Sequence, residues 1–414
     1  MKRKYVILFF SFLICFDLLF LVLSFEFSTV RAVLDVDQID EGYLVVEGFS
    51  NSPLSIFTTG YIPNSRVTLL DKKGVPYWIY DNASDPLAFA HEGLFLNHSN
   101  TILIVDTDND RLLEVAVENK SVVWKWDARE ANWTKYNPEW INYSYIQNPT
   151  SIDWTHINHV NYIEKRNSLI LSLRNFDMLI EIPHNESAYE KVIWHFGEPG
   201  NHSLLHHQHN PEILPNGNLL VSDSENNRIV KINYTTKEIV WTWNNNGNLR
   251  WPRDSDYISS GKYQGCYLIT DSKNSRVIIL DPNTEKIKLI LSSHIMIPYE
   301  ADHISGEDCF LVGNSFNTQI TKFNNNGVIV FFSGIPIIGF LLILNCCVLI
   351  AFYSLKLFSS IKGGNSWKSN KNLSRIFYIV AFLICLFLYN ILFSILFQVV
   401  IFPIMETGPL ATPA

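Results

Sequence analysis

The chain has 414 residues, of which 47% are hydrophobic and 14% aromatic, so it is long enough and apolar enough to bury a large core. Only 17% of the residues are charged, and the mean hydropathy is +0.08, which is typical of a chain that places part of its length in lipid. The formal net charge of -8 excludes nucleic acid as an expected partner, because binding phosphates requires a basic face.

Residues 1–34 predict a cytoplasmic tip followed by a transmembrane signal anchor. The chain opens with Met1-Lys2-Arg3-Lys4 and continues as an apolar run long enough to cross a bilayer. A cleaved signal peptide is the alternative. The length of the run and the lack of a clear cleavage site after it favour the anchor.

Residues 35–330 contain a repeated unit in which an apolar strand, a polar turn and a second alternating strand follow one another. The turns begin at Asp106, Ser172, Asp223, Asp271 and Gly313, with an earlier copy at Tyr61. A further strand carries the aromatic residues Trp78, Trp124, Trp126, Trp194, Trp241 and Trp243, which we expect to pack between the units. Small twisted sheets bury their apolar faces when they stack against one another around a ring. We therefore predict an all-β, six-bladed β-propeller. A β-sandwich or a β-helix is the alternative.

Two further apolar runs predict transmembrane helices at residues 331–358 and within 376–414, the latter followed by a short tail. The linker between them, residues 359–375, carries Lys362, Lys368 and Lys371 and is expected to be cytoplasmic. The positive-inside rule then places a multi-pass protein in the cell membrane, in contact with the lipid bilayer, with its propeller on the extracytoplasmic side. Eight N-x-[ST] sequons in the middle section suit a glycoprotein.

The middle section holds two cysteines, Cys266 and Cys309. Neither has a CxxC neighbour, so a thiolate zinc site is not expected. A disulfide between them and a pair of buried free thiols both remain open.

Three histidines, His91, His156 and His209, precede their polar turns at nearly the same distance, so we expect all three to face the central channel. The same position in the next two blades is predicted to hold Asp256 or Tyr257, and Tyr299 or Glu300. Arg174 follows the start of the third turn, at a position that we align with Asp108, Glu225 and Lys273 of the neighbouring blades. Three imidazoles with a guanidinium, whose fork gives paired hydrogen bonds, predict a site for a tetrahedral oxyanion such as sulfate or phosphate.

At these residues the chain resembles the arylsulfotransferase (aryl-sulfate sulfotransferase) family of six-bladed propellers. Asp153-WTHINHVNY through Leu169-ILSLRNF is similar to the family's D-W-x-H-x-N-x-V-x-Y segment and the Arg that follows it. Gln208-HNPEILPNGNLLVSD is similar to the family's Q-H-x-x-x-x-L-P-N-G-N region, which places the nucleophile on His209. Ala90-HEGLFL places the first channel histidine on His91.

The resemblance implies ping-pong transfer of a sulfuryl group from an aryl sulfate donor to a phenolic acceptor through a sulfohistidine, with no metal, no other cofactor and no nucleotide donor. The catalytic residues would be His209, His156, Arg174 and His91, with Asn158 binding or orienting the substrate. In this scheme His156 could also protonate the leaving phenolate. The carboxy-terminal spans and the short segment before the propeller depart from the soluble family pattern, so the acceptor could instead be a lipid-linked or cell-surface molecule.

Three other interpretations fit parts of the sequence. The run Asn201-HSLLHHQHN places His206 and His209 at a metal-ligand spacing, although no carboxylate or Cys motif completes the shell. The Val-Val-Trp and Ile-Val-Trp strands also occur in quinoprotein propellers, which usually have more blades. A non-catalytic extracellular receptor or adhesion propeller, whose histidines pack or bind an anion, is the alternative outside enzymes.

Overall fold

A computed structural model describes residues 32–48, 65–82, 84–131, 133, 153–185, 192–315 and 319–334. Within these residues the protein is an all-β, six-bladed β-propeller in which every blade is a four-stranded antiparallel sheet. The strands of each blade are consecutive in the chain and pair in sequence order. The fold class predicted from the repeat is therefore confirmed for the propeller.

The blades follow one another along the chain. The first two comprise β1 (Val33–Ile39), β2 (Gly42–Glu47), β3 (Arg66–Asp71), β4 (Pro76–Tyr80), β5 (Glu92–Leu96), β6 (Thr101–Asp106), β7 (Arg111–Ala116) and β8 (Val122–Asp127). The next two comprise β9 (Ile157–Ile163), β10 (Ser168–Leu173), β11 (Met178–Pro183), β12 (Trp194–Gly197), β13 (His209–Ile213), β14 (Leu219–Asp223), β15 (Arg228–Asn233) and β16 (Glu238–Trp243). The last two comprise β17 (Pro252–Tyr257), β18 (Tyr267–Asp271), β19 (Arg276–Asp281), β20 (Lys286–Leu291), β21 (Glu300–Ile304), β22 (Cys309–Asn314), β23 (Gln319–Asn324) and β24 (Ile329–Gly334).

Burial along the strands explains the two sequence patterns of the repeat. Second strands such as β6 and β10 are buried at every residue, because neighbouring blades cover both of their faces, and they read as near-continuous apolar runs. Fourth strands such as β16 and β20 alternate between exposed and covered residues, because only one face meets the next blade.

The polar turn joins the second and third strands of a blade and is held by a buried carboxylate. Asp106 accepts hydrogen bonds from the backbone N–H of Ala88 at 2.7 Å, from Asn109 Nδ2 at 2.8 Å and from Arg111 Nε at 2.6 Å. The same three contacts recur around Asp223, with His206, Asn226 and Arg228, and around Asp271, with Arg250, Asn274 and Arg276. Each turn therefore anchors the loop that leads into the innermost strand of its own blade.

The tryptophans pack between blades, as predicted. The indole N–H of Trp78 in the first blade donates to the carbonyl of Val117 in the second at 2.9 Å, and that of Trp194 in the third donates to Tyr234 in the fourth at 2.7 Å. A buried indole thus fills the space between two sheets while its one polar atom is satisfied by the neighbouring blade.

The ring closes by packing between the first and sixth blades. The side chain of Ser315 donates to the carbonyl of Val33, and a shared apolar cluster includes Val36, Val45 and Leu311. Because each blade is built from consecutive strands, closure depends on these side-chain contacts and not on a sheet shared by the two chain ends.

The described strands extend slightly beyond the predicted limits of the propeller at both ends. The first strand begins at Val33 and the last ends at Gly334, so β24 includes residues that we assigned to the span at 331–358. The remainder of that span, residues 1–31 of the anchor, the linker 359–375 and residues 376–414 lie outside the described residues. No helix in the described ranges is long and apolar enough to cross a membrane. Cys266 and Cys309 are buried free thiols.

Candidate functional site

Five polar side chains meet where the innermost strands begin. His91 directly precedes β5, His156 precedes β9, His209 opens β13, Arg253 is the second residue of β17 and Tyr299 precedes β21. Each is at most 5% exposed. Because the first strands of neighbouring blades contact one another around the ring axis, their starts converge at one end of the central channel. We call these five residues the channel cluster.

The members of the channel cluster contact one another across blades. The ring centroids of His91 and His156 lie 4.8 Å apart, and those of His91 and Tyr299 lie 6.0 Å apart. Arg253 closes the arc, because its guanidinium contacts His209 and lies 4.8 Å from the Tyr299 ring centroid. The three histidines predicted to face the channel are therefore brought together.

Arg253 was not predicted, and the residues expected at its position, Asp256 or Tyr257, lie further along β17. The prediction uses the distance back from the polar turn, but the loop that joins β17 to β18 spans residues 258–266 and is longer than the 97–100 loop of the second blade. The longer loop places the start of β17 further from the polar turn, so the position equivalent to the histidines is Arg253 and not Asp256 or Tyr257. For the sixth blade, Tyr299 is the correct one of the two residues proposed.

The alignment of Arg174 also changes by one position. Leu173 pairs with Met178 as Asp106 pairs with Arg111, so Arg174 corresponds to Thr107, Ser224, Ser272 and Ser315 and not to Asp108, Glu225 and Lys273. Thr107 and Ser224 donate their hydroxyl hydrogens to the backbone carbonyl of the first strand residue of the next blade, at 2.7 Å to Ile157 and 2.6 Å to Pro252. The third blade thus places a cation where its neighbours carry a small hydroxyl.

Arg174 lies beside the channel cluster. Its backbone N–H donates to the carbonyl of His156 at 3.1 Å, and its positive charge adds to the burial that lowers the pKa of His156. Nη1 donates to Asn175 at 2.9 Å, whereas Nε is buried and makes no hydrogen bond among the described residues. The guanidinium therefore retains donor capacity for a ligand.

The backbone determines which ring nitrogen of two histidines carries the proton. Nδ1 of His91 lies 3.1 Å from the carbonyl of Phe89, and Nδ1 of His209 lies 3.1 Å from the carbonyl of His207. A carbonyl only accepts, so Nδ1 is the protonated nitrogen and Nε2 carries a lone pair. Both carbonyl residues are left-handed, with φ of 48° at Phe89 and 50° at His207, a strained conformation that is common at functional sites.

His156 forms a pair with Asp153, a residue to which we had assigned no role. Nδ1 of His156 lies 2.6 Å from Asp153 Oδ1, and Nε2 is buried without a hydrogen bond in the described part of the chain. Burial raises the pKa of Asp153 to about 7, although the charge of Arg174 opposes the shift. The pair can therefore gain or lose one proton close to neutral pH. Its sequence signal is the three-residue spacing within the Asp153-Trp-Thr-His segment.

The charge state of the channel cluster follows from its burial. Burial lowers the pKa of His91, His156 and His209 well below the usual 6.5, and the nearby guanidiniums lower these pKa values further. Burial also lowers the pKa of Arg253, to about 9, which still leaves it cationic at neutral pH. Neutral imidazoles beside two cations form a site that favours an anion.

Asn158 contacts the backbone next to His209. Its Nδ2 donates to the carbonyl of Gln208 at 2.9 Å, while Oδ1 is buried without a hydrogen bond among the described residues. Gln208 is itself held by the third blade, through Nε2 bonds to Leu173 at 3.2 Å and Met178 at 2.9 Å. Asn158 thus fixes the segment that carries His209.

The histidines of the 201–210 segment separate in the structure. His202 stacks on His206 with centroids 3.8 Å apart, whereas His209 lies in the channel cluster. The described residues hold one group of side chains close enough together to bind a metal, and it consists of Asp254, Asp256 and Glu300. The metal site proposed at His206 and His209 is therefore not assembled.

Comparison with known proteins agrees with the resemblance at the first three blades. The arylsulfotransferase (ASST) family model matches residues 30–208, a segment that includes His91, His156, Asn158 and Arg174 and ends one residue before His209. The predicted resemblance is therefore confirmed over this segment. No curated protein matches the chain.

The solved structures that match the chain share little of its sequence. A streptogramin B lyase structure is 11% identical with a TM-score of 0.46, covering 74% of this chain and 84% of that one. Virginiamycin B lyase from Staphylococcus aureus is 10% identical with a TM-score of 0.46, covering 74% and 86%. A protein of unknown function from Bacteroides caccae is 10% identical with a TM-score of 0.44, covering 65% and 89%.

Proposed function

Because residues 30–208 match the arylsulfotransferase family, we propose that this protein is an aryl sulfate sulfotransferase that transfers a sulfuryl group to a phenol without a nucleotide donor. One observation carries the proposal beyond the family match. Three buried, neutral imidazoles lie beside two guanidiniums, those of Arg174 and Arg253, and two of the imidazoles keep a buried Nε2 without a hydrogen bond in the described residues. Such a site matches the equatorial oxygens of a sulfate ester.

In the first half-reaction, the Nε2 lone pair of His209 attacks the sulfur of the aryl sulfate. The N–S bond forms while the bond from sulfur to the aryl oxygen breaks, and the phenolate leaves with the electron pair. The hydrogen bonds from Nδ1 of His209 to the carbonyl of His207 and to Ser224 Oγ, at 3.1 and 2.9 Å, hold the ring proton on Nδ1 and leave the lone pair on Nε2. They also stabilise the positive charge that the ring gains when it forms a sulfohistidine.

The remaining polar groups hold the sulfuryl oxygens and the leaving group. Sulfuryl transfer passes through a loose transition state, so positioning and charge stabilisation provide most of the rate. Arg174 and Arg253 supply N–H donors of fixed positive charge. Arg253 releases Nε2 of His209 and turns its donors to the substrate oxygens. His156 protonates the departing phenolate when the His156–Asp153 pair holds its extra proton.

In the second half-reaction, the acceptor phenol binds in place of the departed product. Its oxygen attacks the sulfur of the sulfohistidine, the N–S bond breaks, and the electron pair returns to Nε2 of His209. The phenolic proton passes to the His156–Asp153 pair, which restores the starting protonation state. Donor and acceptor thus use one site in turn, which is ping-pong kinetics.

The transfer of sulfate from 4-nitrophenyl sulfate to phenol tests this proposal directly. We expect His209→Ala to lower kcat by roughly a thousandfold or more, because it removes the nucleophile. His202→Ala is a matched control from the same segment, since its side chain is 54% exposed. Brief incubation with the donor alone should leave one SO3 group on His209, visible by peptide mass spectrometry at alkaline pH. If His209→Ala retains the parent rate, the assignment of His209 as the nucleophile is wrong. If the parent binds the aryl sulfate without turning it over, the receptor alternative is favoured.

The proposal includes a location outside the cytoplasm. Its support is the basic residues at both ends of the chain, Lys2, Arg3 and Lys4 before the first apolar run and Lys362, Lys368 and Lys371 before the last. Protease added to intact cells should digest the propeller and spare the 359–375 linker. Protection of the propeller under these conditions would contradict the proposed orientation.

A further inference from the structure

A second polar centre lies along the innermost strands, in a cavity of about 650 Å³ that no member of the channel cluster lines. Eight of its eighteen lining residues are Asp or Glu, and none of the described lining residues is Lys or Arg. The acidic residues come from all six blades and include Asp35, Glu92, Glu164, Glu212, Asp256 and Glu300. The proposed sulfuryl transfer uses none of them.

The strand period explains why the acids face the same space. Asp254 and Asp256 are two residues apart on β17, so their side chains leave the same face of the strand, as do those of Asp35 and Asp37 on β1. Because innermost strands present one of their faces to the ring axis, carboxylates from different blades converge. Burying several like charges together is unfavourable unless a cation or protons neutralise them.

Two carboxylates of the cavity, Asp256 and Glu300, and the neighbouring Asp254 have the arrangement of cation ligands. Ligand oxygens of Asp254, Asp256 and Glu300 lie within 4.8 Å of one another. Oxygens bound to one Ca²⁺ at about 2.4 Å each can be at most about that far apart. The three side chains come from two adjacent blades, so the ring geometry and not the local sequence brings them together.

Two buried polar atoms, one on Asp254 and one on a residue of the cavity wall, have no hydrogen-bond partner among the described residues. Asp254 is 0% exposed, and although Oδ2 accepts from the backbone N–H of Ala301 at 3.0 Å, Oδ1 makes no hydrogen bond among the described residues. His159, which lines the cavity and is 9% exposed, pairs with Glu92 through Nδ1 and leaves Nε2 without a bond in the same residues. A fully buried carboxylate oxygen is rarely left unsatisfied, which points to a ligand outside the chain.

We propose that Asp254, Asp256 and Glu300 bind a divalent cation of the calcium class inside the propeller channel. Oxygen ligands from carboxylates suit calcium, which accepts six to eight of them in flexible geometry, while the width of the cavity leaves room for bound water. The Ala301 N–H and the Thr270 hydroxyl, at 3.0 and 3.3 Å from Asp254 Oδ2, hold that carboxylate in place. The ion joins the fifth and sixth blades and stabilises the ring.

Calcium binding to the full-length protein in detergent tests this inference without any activity measurement. After treatment with a chelator and its removal, we expect titration calorimetry to show one saturable Ca²⁺ site and the melting temperature to rise by several degrees when Ca²⁺ is added. Mg²⁺ should bind more weakly, because it requires stricter geometry. Asp256→Asn and Glu300→Gln should each weaken Ca²⁺ binding by roughly tenfold or more.

Glu164→Gln is the matched control, since Glu164 lines the same cavity but lies outside the group of three ligands, and its Ca²⁺ affinity should stay within about twofold of the parent. The sign of the melting shift adds a second readout. Without calcium, the melting temperature of Asp256→Asn should be higher than that of the parent, because one of the like charges is removed. With calcium it should be lower, because a ligand to the ion is lost. If the parent shows no saturable Ca²⁺ site, or if all variants bind Ca²⁺ with equal affinity, the proposal is wrong. The three carboxylates would then be neutralised by shared protons.

Discussion

Arg253 donates a hydrogen bond to Nε2 of His209, the ring nitrogen that carries no proton. The two residues come from adjacent blades, and the guanidinium lies over Trp251, with its carbon 3.4 Å from the ring centroid. Burial keeps the imidazole neutral, whereas the guanidinium stays cationic because its pKa, although lowered by burial to about 9, is still above neutral pH. The proposed nucleophile is thus covered by a cation that can transfer its hydrogen bonds to an arriving sulfate.

Replacement of Arg253 tests this relationship. Arg253→Gln should lower kcat/KM for aryl sulfates by about a hundredfold to a thousandfold, as expected when one charged donor to the transition state is lost. Steady-state kinetics with 4-nitrophenyl sulfate measures the change. Arg250→Gln should be nearly neutral, because Arg250 is exposed and uses its backbone N–H to bond Asp271. Equal effects of the two substitutions would contradict a role for Arg253.

The His156–Asp153 pair predicts how the rate depends on pH. The pKa of Asp153 is raised to about 7, so the pair holds an extra proton below that pH and loses it above. Transfer from aryl sulfates with a basic leaving phenolate should therefore slow as the pH rises through about 7. Transfer from 4-nitrophenyl sulfate, whose phenolate needs no proton, should not slow in this range. The pH profiles of kcat/KM for the two donors provide the comparison.

Asp153→Asn provides the control for this assignment. Asparagine does not titrate, so the decline near neutral pH should disappear for the donor with the basic leaving group. The low-pH limb should remain, because it reports the histidines, whose pKa values lie well below 6.5. An unchanged profile in Asp153→Asn would assign the proton to a different group.

Ser224 is expected to act through the orientation of His209. Its hydroxyl lies 2.9 Å from Nδ1 and donates to the carbonyl of Pro252 at 2.6 Å. Ser224→Ala should cost about 1 kcal/mol of transition-state stabilisation, a fall in kcat of roughly fivefold, with KM little changed. Ser224→Thr should restore the rate. Ser272→Ala, the equivalent change in the fifth blade, should have no effect on kcat.

The buried turn carboxylates should contribute strongly to stability. Asp106→Ala leaves the side chain of Arg111 and the backbone N–H of Ala88 without their buried acceptor, and should lower the free energy of unfolding by about 3 to 5 kcal/mol. Chemical denaturation of the protein measures this loss. Asp281→Ala removes a surface contact with Lys288 and should leave stability nearly unchanged. Because Ala88 leads into His91, Asp106→Ala should also reduce activity.

Much of the propeller could be predicted because its signal is local and repeated. The apolar second strand, the polar turn from Asp106 to Arg111 and its counterparts, and the tryptophans of the outer strands each reflect burial within one blade or against the next. Three histidines of the site were found because their hairpins have similar lengths. Where the hairpin length differs, as between β17 and β18, the same count missed Arg253.

The amino-acid sequence by itself determined the six-unit repeat, the β-rich blades and the placement of His91, His156 and His209 near one end of them, since these depend on residue type and spacing within a unit. Only the tertiary structure decided which residues meet: Arg253 on His209, Asp153 on His156, and Asp254 and Asp256 beside Glu300. The physical reason is that contacts between blades depend on strand register and on closure of the ring, which are set by packing across the whole molecule.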